Sequence, residues 1–211
     1  MKSDFWNQKW QTNDIGFHQD HVHPALIDHW PELPAQSEVL VPLCGKSKDM
    51  IWLADQGLRV TGIELSEIAA TDFFKENTLT FVSNTHDGFT EYRCVEKSIT
   101  LFVGNFFNFR HTIKFDALYD RASLIALPEE MREDYLNTCK SLLHDSAFKM
   151  VITYHYDTRD MTGPPFSISN LSMKRYWPSL QLCNSYNMLT QSSPFPQKAF
   201  AYFNEEVWRS A

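Results

Sequence analysis

The residues best suited to chemistry lie where apolar runs end. Glu64 directly follows the run Arg59-Val60-Thr61-Gly62-Ile63 and stands 19 residues after Gly45. An acidic residue about 20 positions beyond a strand-to-helix turn is the spacing that holds a ribose hydroxyl pair. Gly45 sits in the turn of Val39-Leu40-Val41-Pro42-Leu43-Cys44-Gly45-Lys46-Ser47. Lacking a Cβ, it lets the backbone approach a ligand closely. One glycine is too few to cradle a pyrophosphate, but a nucleoside without phosphates needs no such cradle. S-adenosylmethionine is a ligand of that kind. A plainer reading stands beside this one: Gly45 as a turn glycine and Glu64 as a surface carboxylate.

Composition narrows the field in the same direction. The 211 residues include 7 Gly, about half the usual ~7% share. None is nearer to another than Gly57 is to Gly62, so neither GxGxxG nor GxxxxGK[ST] can be written. P-loop and dinucleotide-binding fingerprints are therefore excluded. The 16 Phe, 8 Tyr and 6 Trp exclude intrinsic disorder. The net charge is −7, and no Lys/Arg run is longer than Lys174-Arg175. A nucleic-acid backbone binder needs a basic stripe, and a polybasic membrane anchor needs a cluster. No apolar run approaches the ~20 residues of a bilayer span. Met1 to Trp10 lacks the apolar core of a signal peptide. Cys44, Cys94, Cys139 and Cys183 show no CxxC spacing and read as reduced thiols. The expectation is a cytoplasmic, monomeric protein with a small-molecule partner and neither nucleic acid nor membrane.

Histidines gather near the start, at His18, His21, His23 and His29. A zinc site needs three or four converging ligands, and neither HExxH nor a Cys/His pair is present. A polar amphipathic helix is the preferred reading, with no metal.

These residues need elements to position them. Glu38 to Val41 reads as a buried strand, and Lys46 to Gln56 as a helix ended by Gly57. Arg59 to Ile63 is a second strand. Ser66 then N-caps a helix to about Asn77, with Glu67 in its first turn. Strand, helix, strand, helix at this spacing argues a parallel sheet with crossover helices. Phe89–Cys94, Ile99–Val103, Phe115–Tyr119 and Ala147–Tyr154 read as further strands. Pro128–Leu143 and Ser167–Trp177 read as helices. Leu180–Leu189 and Lys198–Val207 form a closing hairpin through the turn Ser192-Ser193-Pro194-Phe195-Pro196. The fold class is α/β, a doubly wound Rossmann-like sheet. The whole chain, 1–211, reads as one domain. Residues 1–34 form an aromatic helical lid, and 35–211 the α/β core. Ligands of open α/β sheets sit beyond the carboxyl ends of the strands, where such a lid is well placed.

Val41-Pro42-Leu43-Cys44-Gly45-Lys46-Ser47, then Trp52-Leu53-Ala54 and Gly62-Ile63-Glu64-Leu65-Ser66-Glu67, resemble the thiopurine S-methyltransferase family. Phe115-Asp116, Tyr119-Asp120-Arg121-Ala122 and Gly163-Pro164-Pro165-Phe166 do so too, and the likeness runs from about Phe5 to Phe203. The resemblance implies a seven-stranded methyltransferase sheet with its last strand antiparallel, and S-adenosyl-L-methionine as cofactor. It implies that Trp10 and Leu43 contact that cofactor, with Gly45 in the loop, and that Glu64 takes the ribose. Asn105 and Phe106 flank the adenine, although relatives commonly carry an Asp where Asn105 stands. Asn105 still donates and accepts hydrogen bonds, without charge. Asp120 and Arg121 are the implied catalytic pair, Arg121 facing both cofactor and acceptor. His18 falls in the family's Phe-His motif beside the substrate, with Phe17 before it. Pro165 and Phe166 form a pocket wall.

The implied activity is S-methylation of small aromatic or heterocyclic thiols by in-line transfer. A neutral thioether leaves, so no acid is required, and aligning two sulfurs is the main task. Heteroaromatic thiols ionise more readily than cysteine, and a cation such as Arg121 favours the thiolate. Trp10, Phe17 and Phe166 suit a flat acceptor and a sulfonium. Plainer alternatives remain: Arg121 paired with Asp120 or Asp116, the aromatics as core, and Gly163-Pro164-Pro165-Phe166 as a stiff turn. The rival functions are methylation of selenium or tellurium species, thiocyanate or halide, and a non-catalytic nucleoside-binding role.

Overall fold

The structure, a computed structural model, describes residues 3–189 and 200–211. In chain order the elements are α1 (Ser3–Gln11), α2 (Pro24–His29), β1 (Glu38–Pro42), α3 (Asp49–Asp55), β2 (Arg59–Glu64) and α4 (Glu67–Glu76). Then come β3 (Phe81–His86), β4 (Phe89–Cys94), β5 (Ile99–Val103), β6 (Phe115–Arg121), α5 (Glu129–Leu142), β7 (Leu143–Tyr156), α6 (Asn170–Tyr176), β8 (Gln181–Asn187) and β9 (Phe203–Arg209). α4 and α6 start where a serine caps them. Ser66 Oγ accepts from Ala69 N at 3.4 Å, and Ser169 Oγ from Ser172 N at 3.1 Å. α5 carries Glu129 and Glu130 in its first turn and Lys140 in its last, as its dipole favours.

The chain forms two compact units. One runs to Tyr119 and includes Thr138–Ala147; the other is Asp120–Asn137 with the residues from Phe148 on. In the first unit β1 pairs in parallel with both β2 and β6, and β2 in parallel with β5. Val39, Leu40, Ile63 and Leu101 are fully buried there. Continuous apolar runs of this kind mark parallel strands covered on both faces. The register places Pro42 beside Ile63 and Glu64 beside Val103, so three carboxyl ends fall level. That level edge is where an open sheet binds its ligand. β4 joins β5 antiparallel and β3 joins β4.

In the second unit β9 is antiparallel to both β7 and β8. This is the expected terminal hairpin with an antiparallel last strand. Its core is aromatic: Tyr156 stacks on Phe203 at 5.0 Å, and Tyr154 lies 5.1 Å from the same ring.

The mixed α/β class with a mostly parallel core and an N-terminal helix agrees with the sequence reading. Among the described residues nine strands are present where the resemblance implies seven, and the β3–β4 hairpin accounts for the difference. β3 was not legible because all six of its residues are exposed. Its signal was the turn Asp87-Gly88, both at positive φ (51° and 79°), a two-residue hairpin connection. α3 starts at Asp49 rather than Lys46, because Leu43 and Gly45 adopt left-handed φ and the chain has not yet turned helical. The expected turn Ser192–Pro196 lies outside the described residues, as do 198 and 199 of the expected last strand. Among the described residues no helix is long and apolar enough to cross a membrane. The four cysteines form no disulfide there.

Gly62 gives a first prediction. A Cβ at this position would lie 2.5 Å from Leu101 Cδ2, 2.7 Å from Cys44 Sγ and 2.9 Å from Met50 Sδ. Overpacking of this kind costs about 1–3 kcal/mol. Gly62→Ala is expected to lower the unfolding free energy from urea titration by that amount, with the midpoint falling in proportion; an unchanged midpoint would show that the three neighbours yield freely.

Candidate functional site

Glu64 ends β2 with its side chain buried, 6% exposed. Its Oε2 accepts from Gly45 N at 2.8 Å, and its Oε1 from Ser66 N at 2.8 Å. One carboxylate thus fastens the loop after β1 to the N-cap of α4. Each oxygen has used one acceptor site and retains another. Burial pushes the Glu64 carboxyl above its ordinary value, and the amides of Ser66 and Gly45 oppose that rise. The surface-carboxylate reading of Glu64 is therefore replaced by a buried, doubly held one. The loop it holds is conformationally unusual: Leu43 has φ 46° and Gly45 φ 54°. A left-handed leucine costs about 1–3 kcal/mol and persists only where its surroundings fix it. Such residues cluster at ligand sites.

Trp10, near the end of α1, is buried against this loop. Its Cζ2 lies 3.2 Å from where a Cβ on Gly45 would sit. Trp10 and Phe17 meet edge-on at 5.5 Å, and Trp6 and Phe17 at 5.6 Å. Phe17 is 37% exposed, so this aromatic group offers one open ring. His18 follows it, half-buried. The sequence read Trp10 and Gly45 as parts of one site, and the fold brings them together.

Gly104 and Asn105 follow β5. Gly104 N donates to Glu64 O at 2.8 Å, joining the ends of β5 and β2. The exposed Asn105 accepts from Phe107 N at 3.1 Å through Oδ1 and caps a short 3₁₀ turn. Its amide NH₂ remains a donor. The Phe106 ring is buried, 2% exposed.

The second unit holds the remaining predicted residues. Asp120 is fully buried, accepting from Leu124 N at 3.1 Å and from Tyr135 Oη at 2.8 Å. It closes the turn after β6. Arg121 is half-buried next to Ala122, which has φ 60°. Tyr154 lies within electrostatic reach of Arg121 and pairs across strands with Glu205. Phe166 N donates to Ile125 O at 2.6 Å, and Tyr156 Oη to Pro165 O at 2.6 Å. The Arg132 guanidinium lies 5.7 Å from the Phe166 ring centroid, and Arg132 Nε donates to Leu127 O. The Gly163–Phe166 segment is thus pinned from several sides. Sequence reading did not find Arg132, Tyr135 or Tyr156, since no local spacing marks partners this distant in the chain.

Asp120 carries a pH prediction. Burial pushes its carboxyl up to about 6, from an ordinary 3.8. Below about pH 4 it is neutral in both folded and unfolded chains. Between about pH 4 and 6 the unfolded chain ionises first, so folding stability falls as pH rises, by ~3 kcal/mol in all. Asp120→Asn is expected to remove that share of the fall in urea midpoints measured from pH 4 to 7. A wild-type slope in the variant would exclude Asp120 as its source.

The histidines do not form a polar helix face. His23 is buried, and its Nδ1 accepts from Ala25 N at 3.2 Å to cap α2. His21 meets Asp20 at 3.0 Å on the surface. Among the described residues no three His, Cys, Asp or Glu side chains gather as metal ligands do.

These features fit an adenosine without phosphates. A buried carboxylate with two remaining acceptor sites suits a diol, and a single glycine admits close approach where a Cβ would meet Trp10. The model of the thiopurine S-methyltransferase family matches residues 1–211. A thiopurine S-methyltransferase of Pseudomonas paraeruginosa is 39% identical, covering 99% of this chain and 98% of that protein. Another, from Pseudomonas fluorescens, is 40% identical, with 99% and 98% covered. Among solved structures, the 1,6-didemethyltoxoflavin-N1-methyltransferase of Burkholderia thailandensis, with bound 1,6-didemethyltoxoflavin and S-adenosylhomocysteine, aligns with a TM-score of 0.64. It is 15% identical, covering 99% of this chain and 86% of that one.

Proposed function

The chain belongs to the thiopurine S-methyltransferase family of S-adenosylmethionine-dependent methyltransferases, and from that premise we propose that it methylates the sulfur of small aromatic or heterocyclic thiols. The Glu64 clamp, a buried carboxylate held on Gly45 and Ser66 amides at the level end of the parallel strands, supports the cofactor half of this reading, and the family match supports the thiol acceptor.

Bound S-adenosylmethionine supplies a methyl group on a sulfonium, whose departure as a thioether needs no proton. The chain's own residues bind, orient and exclude water. Glu64 accepts from the ribose hydroxyls with its remaining acceptor sites. The Asn105 amide donates toward the adenine, and the backbone of Phe106 flanks it. Leu43 and Trp10 shape the apolar part of the cofactor site, Trp10 by holding the Gly45 turn. Arg121 favours the thiolate form of the acceptor, which makes a dedicated base unnecessary. Asp120 serves as a positioning residue, because its two oxygens hold the turn that carries Arg121 and Ala122. By the family resemblance, Phe17 and His18 of the first unit are assigned to the acceptor, as are Pro165 and Phe166 of the second, and residues 1–34 to the lid.

Assays of the wild-type enzyme on a panel of heteroaromatic thiols, selenite, tellurite, thiocyanate and halides test the acceptor. Methylated thiol as the dominant product is expected. Turnover confined to the inorganic acceptors would overturn the thiol assignment.

A further inference from the structure

We infer that Asp49 is a positioning residue that fastens the N-terminal segment to the cofactor loop and to the end of β6. The inference rests on the lid reading of residues 1–34 given above. Asp49 is the first residue of α3 and is fully buried. Its Oδ1 accepts from the backbone N of His23 at 2.8 Å. Its Oδ2 accepts from Tyr119 Oη at 3.0 Å. Its own N donates to Ser47 Oγ at 3.2 Å, two residues beyond Gly45. Two distant segments therefore meet on one side chain, the N-terminal segment at His23 and β6 at Tyr119, while the backbone N of the same residue is tied to the loop after β1.

The segment is held again on either side of α2. His23 caps the helix start with its ring. Trp30, just past the helix end, meets the Tyr119 ring edge-on at 5.9 Å. Tyr119 thus touches both Asp49 and the far end of α2.

A buried carboxylate is costly to leave without donors. An apolar side chain at position 49 would fill the same space and tolerate small shifts of the segment. A carboxylate tolerates none, because each oxygen demands its donor in one place. Asp49 therefore sets where residues 10–23 lie, and with them Trp10 on Gly45 and the exposed ring of Phe17.

Limited proteolysis of the full chain, read by mass spectrometry with and without S-adenosylhomocysteine, tests this. Asp49→Asn is expected to speed cleavage within residues 11–34 by on the order of tenfold, the scale of one lost charge-assisted hydrogen bond. Cleavage beyond residue 38 should stay at the wild-type rate, and S-adenosylhomocysteine should protect the variant less than the wild type. Tyr119→Phe removes one donor while keeping the ring, and is expected to act in the same direction, so the test survives if Asp49→Asn does not fold. Met173→Ala, a core truncation in α6, supplies a destabilised control that should not show the selective cleavage. Wild-type cleavage rates in both Asp49→Asn and Tyr119→Phe, or acceleration no greater than in the control, would overturn the anchoring role. Absence of ligand protection in the wild type would refute the lid reading, separately from the anchor.

Discussion

Glu64→Ala is expected to weaken S-adenosylhomocysteine binding by about 10²–10³-fold. The substitution removes the acceptor for the ribose and, together with it, the partner of two backbone amides, Gly45 N and Ser66 N. Hydrogen bonds to a charged group contribute about 1.5–3 kcal/mol each, and two such losses reach this range. The loop after β1 would lose its clamp, so a lower melting temperature should accompany the weaker binding. Glu64→Gln should fall between, because its amide can accept from one of the two N–H groups and must turn its own NH₂ toward the other. Calorimetric titration measures both variants. Near wild-type affinity for Glu64→Ala would remove Glu64 from the ribose site.

Arg121→Ala is expected to lower kcat/KM for a thiol acceptor by about 10²–10³-fold, the range seen when a preorganised donor to reacting charge is deleted. Binding of S-adenosylhomocysteine should change far less. The loss should grow with the pKa of the thiol, since the cation matters most where the acceptor is least ionised at the assay pH. Arg121→Lys should recover part of the rate, because a point charge remains while the planar fork is lost. Kinetics on two thiols of different acidity separates the cases. A loss of cofactor affinity proportional to the loss of rate would contradict an acceptor-side role.

Much of this site was legible because its residues are local. Gly45, Glu64 and Ser66 sit where a strand gives way to a turn, and single-glycine spacing with an acidic partner is a pattern suited to a nucleoside site that can be read in the chain itself. Trp10 was reachable only through the family likeness, since an isolated tryptophan reads equally well as core. The Gly45 amide on Glu64, the Tyr119 hydroxyl on Asp49 and the Tyr135 hydroxyl on Asp120 join groups 15–70 residues apart in sequence. No local pattern encodes those distances. β3 was missed for the opposite reason: with every residue exposed, it has no buried face to impose alternation.

The central claim is sulfur methylation, and paired acceptors test it most directly. Wild-type enzyme would be offered S-adenosylmethionine carrying a labelled methyl group with a heteroaromatic thiol, and separately with the same ring bearing a hydroxyl. The account predicts label on the sulfur of the thiol, stoichiometric S-adenosylhomocysteine, and negligible transfer to the oxygen analogue. Label on the oxygen analogue at a comparable rate, or none on the thiol while S-adenosylhomocysteine still binds, would contradict it.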